Sequence, residues 1–270
     1  MDLGLRDRVV LITGASRGLG RACAFAFAAE GARLALCARG EADLHEAAAA
    51  VREAHGTEAR ALPADVTRPA ETERLVKETL GALGRVDVLV NNAGAGVHRP
   101  FADVDDAAWQ ASVELNLLAA VRLTRALVPA MRGQGGGAIV NVAALSGKRP
   151  RLGQIASNVT KAALINLTES LATELAPDGI RVNAVCPGLV RNERWAARIA
   201  ATARERGLSP DEMAAAVGRE NIPLGRLGTQ EEVAPVVVFL ASPVVAAYIT
   251  GVSVEVDGGL GRGVAIRGVR

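Results

Sequence analysis

Ser157 and Lys161 stand four residues apart in the run Ala156-Ser157-Asn158-Val159-Thr160-Lys161-Ala162-Ala163-Leu164. On a helix that spacing puts a hydroxyl and an ammonium on one face, one turn apart. The chain has three lysines, Lys77, Lys148 and Lys161, and meets its other basic needs with arginine. Lys77 and Lys148 read as surface residues, which leaves Lys161 as the lysine to explain. A serine activated by a lysine can attack an acyl group, so acyl transfer is one chemistry open to the pair. A second motif, Thr13-Gly14-Ala15-Ser16-Arg17-Gly18-Leu19-Gly20, joins an apolar run to a helical pattern. Glycines there allow a tight turn and close backbone approach, and a helix N-terminus favours negative charge. After the first strand of a βαβ unit, such a turn cradles a dinucleotide pyrophosphate.

Charge predicts which dinucleotide. A site for NAD(H) usually ends its second strand with an acid that accepts from the ribose 2′-hydroxyl. Here the run is Leu36-Cys37-Ala38-Arg39, with no acid until Glu41. Arg17 and Arg39 can instead converge on a 2′-phosphate, whose oxygens suit the guanidinium fork. NADP(H) is therefore the expected cofactor.

Those motifs need elements to hold them. Near-continuous apolar runs predict strands at 8–13, 33–37, 59–63, 86–91, 138–142, 181–185 and 252–256. Amphipathic stretches predict helices near 18–30, 41–55, 69–83, 105–131, 157–176 and 230–241. Strands without polar alternation, interleaved with helices, imply a parallel sheet covered on both faces. The prediction is one α/β domain over 1–270, a doubly wound Rossmann sheet, with no repeat, linker or second core. Residues 191–228 break the rhythm, and Ser209-Pro210-Asp211-Glu212 has the spacing of a capping box with proline at the first helical position. We read this insertion as a helical substrate lid, and 261–270 as a glycine-rich C-terminal tail.

Composition removes other classes. Lys+Arg 31 against Asp+Glu 29 is nearly balanced and shows no basic block, which disfavours a nucleic-acid partner. No apolar run approaches the roughly 18 residues of a membrane span. The start, Met1-Asp2-Leu3-Gly4-Leu5-Arg6-Asp7, does not read as a signal peptide. Three scattered cysteines, Cys23, Cys37 and Cys186, lack metal spacing and fit a reducing cytoplasm. A cytoplasmic location, a small-molecule substrate and no metal are the expectations.

The glycine turn, Asp65-Val66, Asn91-Asn92-Ala93-Gly94, Pro187-Gly188, the run 222–228 and Val256-Asp257-Gly258-Gly259 follow one another in order. Together they resemble the short-chain dehydrogenase/reductase family over about residues 7–260. The resemblance implies a seven-stranded sheet, a homo-oligomer (tetramer, or dimer) and oxidoreductase activity. It implies that Gly14, Ser16, Arg17, Gly18, Leu19, Gly20 and Arg39 hold the phosphates, and that Asp65 and Val66 hold adenine. Asn91, Ala93 and Gly94 would line the cofactor cleft. Pro187, Gly188, Asn192 and Lys161 would border the nicotinamide and its ribose, with the Asn192 amide on the carboxamide.

The family's catalytic set is an asparagine, a serine, a tyrosine, and a lysine four residues after the tyrosine. Asn116 and Lys161 match, and Asn116 would hold a water chain to the lysine. Ala144 stands where the resemblance expects the serine, and Ser157 where it expects the tyrosine. The chain's one tyrosine, Tyr248, lies in a stretch that resembles a structural segment before the last strand. A phenol titrates near pH ~10 and an alkyl hydroxyl nearer water's ~15.7. That gap is worth about 7 kcal/mol of proton-transfer driving force, at ~1.36 kcal/mol per pKa unit. Ser157 can position a water but cannot replace a phenol. Ser146 has the same fault, whereas His98, in Gly96-Val97-His98-Arg99-Pro100, carries a group suited to proton transfer. Two readings stay open. One is an NADP(H)-dependent oxidoreductase of a small carbonyl, imine or alcohol with an unusual proton donor. The other is a relative without redox turnover, a nucleotide-binding scaffold or regulatory subunit or an enzyme of another class.

Overall fold

The computed structural model describes residues 1–262, apart from the side chains at 193, 194 and 198; most of the predicted tail, 263–270, lies outside the described residues. Seven strands form one sheet: β1 (Val9–Thr13), β2 (Arg33–Cys37), β3 (Ala59–Ala61), β4 (Val88–Asn91), β5 (Gly137–Val142), β6 (Ile180–Pro187) and β7 (Ser253–Val256). All pair in parallel in the order β3-β2-β1-β4-β5-β6-β7. The order reverses between β1 and β4. Chains leaving these two carboxyl ends diverge to opposite sides, and the crevice between them is where a doubly wound sheet takes its ligand.

Helices cover both faces: α1 (Gly18–Ala29), α2 (Glu41–His55), α3 (Pro69–Leu83), α4 (Asp106–Val113), α5 (Ala119–Gly133), α6 (Ile155–Leu175), α7 (Glu193–Arg206), α8 (Pro210–Asn221) and α9 (Gln230–Ala241). Their ends follow local chemistry. Pro69 opens α3, Gly84 closes it in the left-handed conformation, and the Asp105 side chain accepts from Ala108 N to start α4. One apolar cluster joins α1, α2 and α9 to one face of the sheet, and a second joins α3, α5 and α6 to the other.

Three expectations change. The helix predicted over 105–131 is two α-helices joined by a π-helical turn, Glu114–Leu118. The helix predicted from 157 begins at Ile155, so Ser157 and Lys161 both lie in its first two turns. The insertion after β6 also has a small core of its own, in which Leu189, Ile199, Ala203, Met213, Ile222 and Leu227 pack together. Ser209 and Glu212 form the predicted capping box that begins α8.

Candidate active site

β1 ends in Thr13, whose buried hydroxyl accepts from the backbone N–H groups of Asn92 and Ala93, both at 3.0 Å. The Asn92 amide donates to Thr13 O and Gly14 O, at 2.9 and 3.2 Å. These bonds lock the glycine turn to the end of β4. Gly20 packs so closely that a Cβ there would run into the Gly14 carbonyl. The first turn of α1 carries no side-chain cap and no acidic residue. Its backbone N–H groups therefore need an external acceptor, and an anion at this end is favoured.

A cleft of about 740 Å³ opens from this turn. Gly14, Ser16, Arg17, Gly18, Leu19, Arg39, Asp65, Val66, Ala93, Gly94 and Asn192 line it. Arg17 and Arg39 are exposed at its rim. Burial alone would raise the Asp65 carboxyl. Hydrogen bonds from the Thr67 hydroxyl and N–H, with Arg39 and Arg68 nearby, outweigh burial and hold it below its ordinary value. The donor set and the uncapped helix end fit a dinucleotide carrying an additional phosphate.

Asn91 does not line this cleft. Its side chain is buried and donates to Asn141 Oδ1 at 2.9 Å, while its neighbour Asn92 faces the opening. Asn192 lines it, but its side-chain oxygen accepts from Trp195 N at 2.9 Å and caps α7. The side chain expected to meet the carboxamide thus has a structural role as the α7 cap.

A second, smaller cleft of about 320 Å³ adjoins the first, and both are lined by Leu19, Asn92, Gly94, Ala95 and Asn192. Lys161, Ser157, Ser146, His98, Pro187 and Gly188 face it, with Ala144 in its wall. Lys161 is buried, and its ammonium donates to Val142 O at 2.7 Å. Burial pulls this lysine down to about 8, with a small opposing effect from Cys186. A methyl group built on Gly94 would sit 3.2 Å from Lys161 Nζ. One built on Gly96 would sit 3.5 Å from His98 Nε2 and 3.8 Å from Ser157 Oγ. The segment 94–96 is therefore flanked by an ammonium, an imidazole and a hydroxyl.

Asn116 lies in the π turn, and its side chain clamps that same segment. The Asn116 amide donates to Ala95 O at 2.9 Å, Ser112 Oγ at 3.1 Å and Thr160 Oγ1 at 3.1 Å. Its oxygen accepts from Ala95 N at 2.9 Å. That side chain fixes the loop that faces Lys161. Gly147 lets the turn after β5 lie against α6, since a Cβ there would stand 2.7 Å from the Lys161 carbonyl carbon.

Other residues enter that sequence reasoning missed. Arg151 and Trp195 line the small cleft, with the guanidinium 5.8 Å from the indole ring centroid. Trp195 as the lone aromatic of the insertion was the available signal. Lys148 is not a free surface residue, because its ammonium donates to Ser253 O at 2.7 Å and lies 3.3 Å from the Glu255 carboxylate. The three cysteines are buried thiols. Burial raises Cys23 and Cys37 to about 12 and Cys186 to about 11. No cluster of metal-binding side chains occurs among the described residues, and none of their helices is long and apolar enough to cross a membrane.

Residues 14–261 match a family model described as enoyl-(acyl carrier protein) reductase. A 3-oxoacyl-[acyl-carrier-protein] reductase of Escherichia coli is 36% identical over 258 residues, 96% of this chain and 99% of that one. The chain belongs to the short-chain dehydrogenase/reductase family. Among solved structures, an L-sorbose reductase from Gluconobacter frateurii complexed with NADPH and L-sorbose has a TM-score of 0.95. It is 39% identical, with 98% of this chain and 100% of that one covered. An NADPH-bound short chain oxidoreductase from Pseudomonas aeruginosa, described as containing an atypical catalytic center, gives 0.87 at 35% identity, covering 95% and 98%.

Proposed function

We propose that this chain is an NADP(H)-dependent oxidoreductase that reduces a ketone-type carbonyl, or oxidises the matching alcohol, without a phenol acid. The observation that carries this reading is Lys161, a buried ammonium facing the smaller cleft, with Ser157 rather than tyrosine one turn before it. The relatives named above are reductases of 3-oxoacyl groups and of a ketose, and two structural neighbours hold NADPH. The retained cradle and lysine favour redox turnover over the scaffold reading.

NADPH, when bound, supplies hydride to the carbonyl carbon. The chain's own groups handle the oxygen. Ser157 Oγ donates a hydrogen bond that fixes it, and the Lys161 ammonium holds the ribose and stabilises developing negative charge. His98, which like Ser157 lies near Gly96, hands the oxygen its proton as the general acid. Ala144 contributes only a methyl where the family expects a serine. Residues 191–228 act as the lid, with Trp195 closing over the cleft from α7. Assembly as a homo-oligomer is part of this reading, and the exposed Phe239, Val244 and Tyr248 at and beyond the end of α9 offer an apolar contact surface.

The test begins with fluorescence titration by NADPH and NADH, in which the Arg17/Arg39 rim gives NADPH at least about tenfold tighter binding, about 1.4 kcal/mol. Steady-state reduction of a panel of ketones is then followed against pH. Loss of the positive charge on Lys161 makes kcat/KM fall as pH rises through about 8. His98→Ala removes at least about 100-fold of the rate. Equal affinity for the two cofactors, or a rate untouched by His98→Ala between pH 5 and 9, rejects the corresponding assignment.

A further inference from the structure

We propose that a second cavity, on the far side of His98 and Arg151 from the reaction cleft, receives an apolar substituent of the substrate. The preferred carbonyl compound then carries a chain or ring of several carbons rather than a row of hydroxyls. This rests on the reading of the small cleft as the reaction site.

Two loops form the wall between the spaces, one following β4 and one following β5. They are tied by a backbone bond from Arg99 N to Gly153 O at 3.0 Å. The second loop is also pinned to α6, where the Asn158 side chain, itself buried, donates to Arg151 O at 2.8 Å. On one side lies the cleft of about 320 Å³ that holds Lys161 and Ser157; on the other lies a cavity of about 990 Å³. His98 and Arg151 line both, and the apolar portion of the substrate would reach past these two side chains.

The chemistry of the two spaces differs. The cleft presents hydroxyl, amide, imidazole and ammonium groups. The larger cavity is walled mainly by Pro100, Phe101, Pro150, Leu152, Ile155 and Val159, with Arg99 and Asn158 as its polar side chains besides His98 and Arg151. Phe101, Leu152 and Val159 are well exposed, at 69, 102 and 52%. Apolar side chains gathered at the mouth of a cavity, with a few polar groups at one end, are the usual make-up of a small-molecule site. The cleft alone is near the lower end of the roughly 300–1,000 Å³ that such sites occupy, and it must also admit the nicotinamide. A substrate with an apolar portion gains the second space at no cost to the polar contacts of its carbonyl. A sugar gains nothing there, because its hydroxyls would exchange water for carbon.

The experiment uses the full chain loaded with NADPH and a series of 2-alkanones from butanone to 2-decanone, with L-sorbose alongside. The expected result is a rise in kcat/KM of up to about fourfold per added methylene, the factor equivalent to about 0.8 kcal/mol of burial, with L-sorbose a poorer substrate than 2-octanone. Val159→Asp, on the exposed wall and away from the reacting groups, flattens the series and leaves butanone turnover unchanged. A flat series in the native chain overturns the inference, as does a slope untouched by Val159→Asp. If that variant changes the sedimentation coefficient and not the slope, the patch is a contact between copies of the chain. Where no ketone is reduced, titration calorimetry of the same ketones on the NADPH-loaded chain decides. Affinity that rises with chain length then keeps the cavity and removes the redox reading, whereas affinity independent of length removes the cavity.

Discussion

At the level of single residues, Lys161 stands where the family resemblance expects a lysine, while Ala144 and Ser157 stand where it expects a serine and a tyrosine. Lys161 holds its place through the Val142 carbonyl, a partner that needs no tyrosine. A direct test is to restore what the family pattern expects. Ala144→Ser with Ser157→Tyr places a hydroxyl on the wall after β5 and a phenol one turn before Lys161. The double variant should gain reduction of a simple diketone by about 10²-fold or more, the usual contribution of a positioned general acid. No gain, with NADPH affinity and thermal midpoint unchanged, would mean that the phenol at 157 does not reach the carbonyl. The expectation of a missing phenol was legible in the sequence, since no tyrosine precedes residue 248. The sequence did not show which of two adjacent asparagines faces the cleft. Asn91 and Asn92 are chemically identical, and only the strand register, with Asn91 opposite Asn141, turns the first inward and leaves the second for the cleft. Lys148 was misread for a similar reason: Ser253 and Glu255 are more than a hundred residues away in the chain, and no local pattern announces them.

At the scale of elements, the strands were legible because a sheet buried on both faces writes near-continuous apolar runs. Helix boundaries followed from proline, glycine and capping residues. The π turn was not legible. Leu115, Leu117 and Leu118 keep an apolar pattern across it, so the sequence reads as one long helix although the backbone widens by a residue per turn there. That widening carries Asn116 to the 94–96 loop, and such turns are frequent at functional sites. The glycine turn offers the sharpest test at this scale. Gly20→Ala pushes a Cβ into the Gly14 carbonyl, and that backbone cannot yield because Thr13 and Asn92 hold it. The expected outcome is a loss of NADPH affinity of at least about tenfold, read by fluorescence titration, with an intact circular dichroism spectrum. Unchanged affinity would show that the turn moves to accommodate the methyl and that its close packing is not what shapes the cradle.

On the scale of the whole molecule, stability is divided unevenly. The sheet is sandwiched between two large apolar clusters that share its strands, so neither can open without the other. The insertion after β6 rests on a separate small cluster, which Leu189, just before it, and Leu260, near the C-terminus, join from outside the insertion. Elements with few buried contacts open locally at a lower free energy than the body they sit on. Amides of α7 and α8 should therefore exchange with solvent hydrogen faster than those of β4, β5 and β6, by at least about 100-fold in protection factor. The direction of change on ligand binding carries the functional content. Trp195 and Asn192, both anchored at the start of α7, face the clefts, so NADPH together with a ketone should slow exchange in 193–206 while leaving the sheet unaltered. Hydrogen exchange read by mass spectrometry distinguishes the cases. Protection gained in α7 makes the insertion a lid coupled to occupancy of the site. Equal exchange with and without ligands makes it a fixed surface addition, and discrimination between substrates would then rest on the loops after β4 and β5 alone.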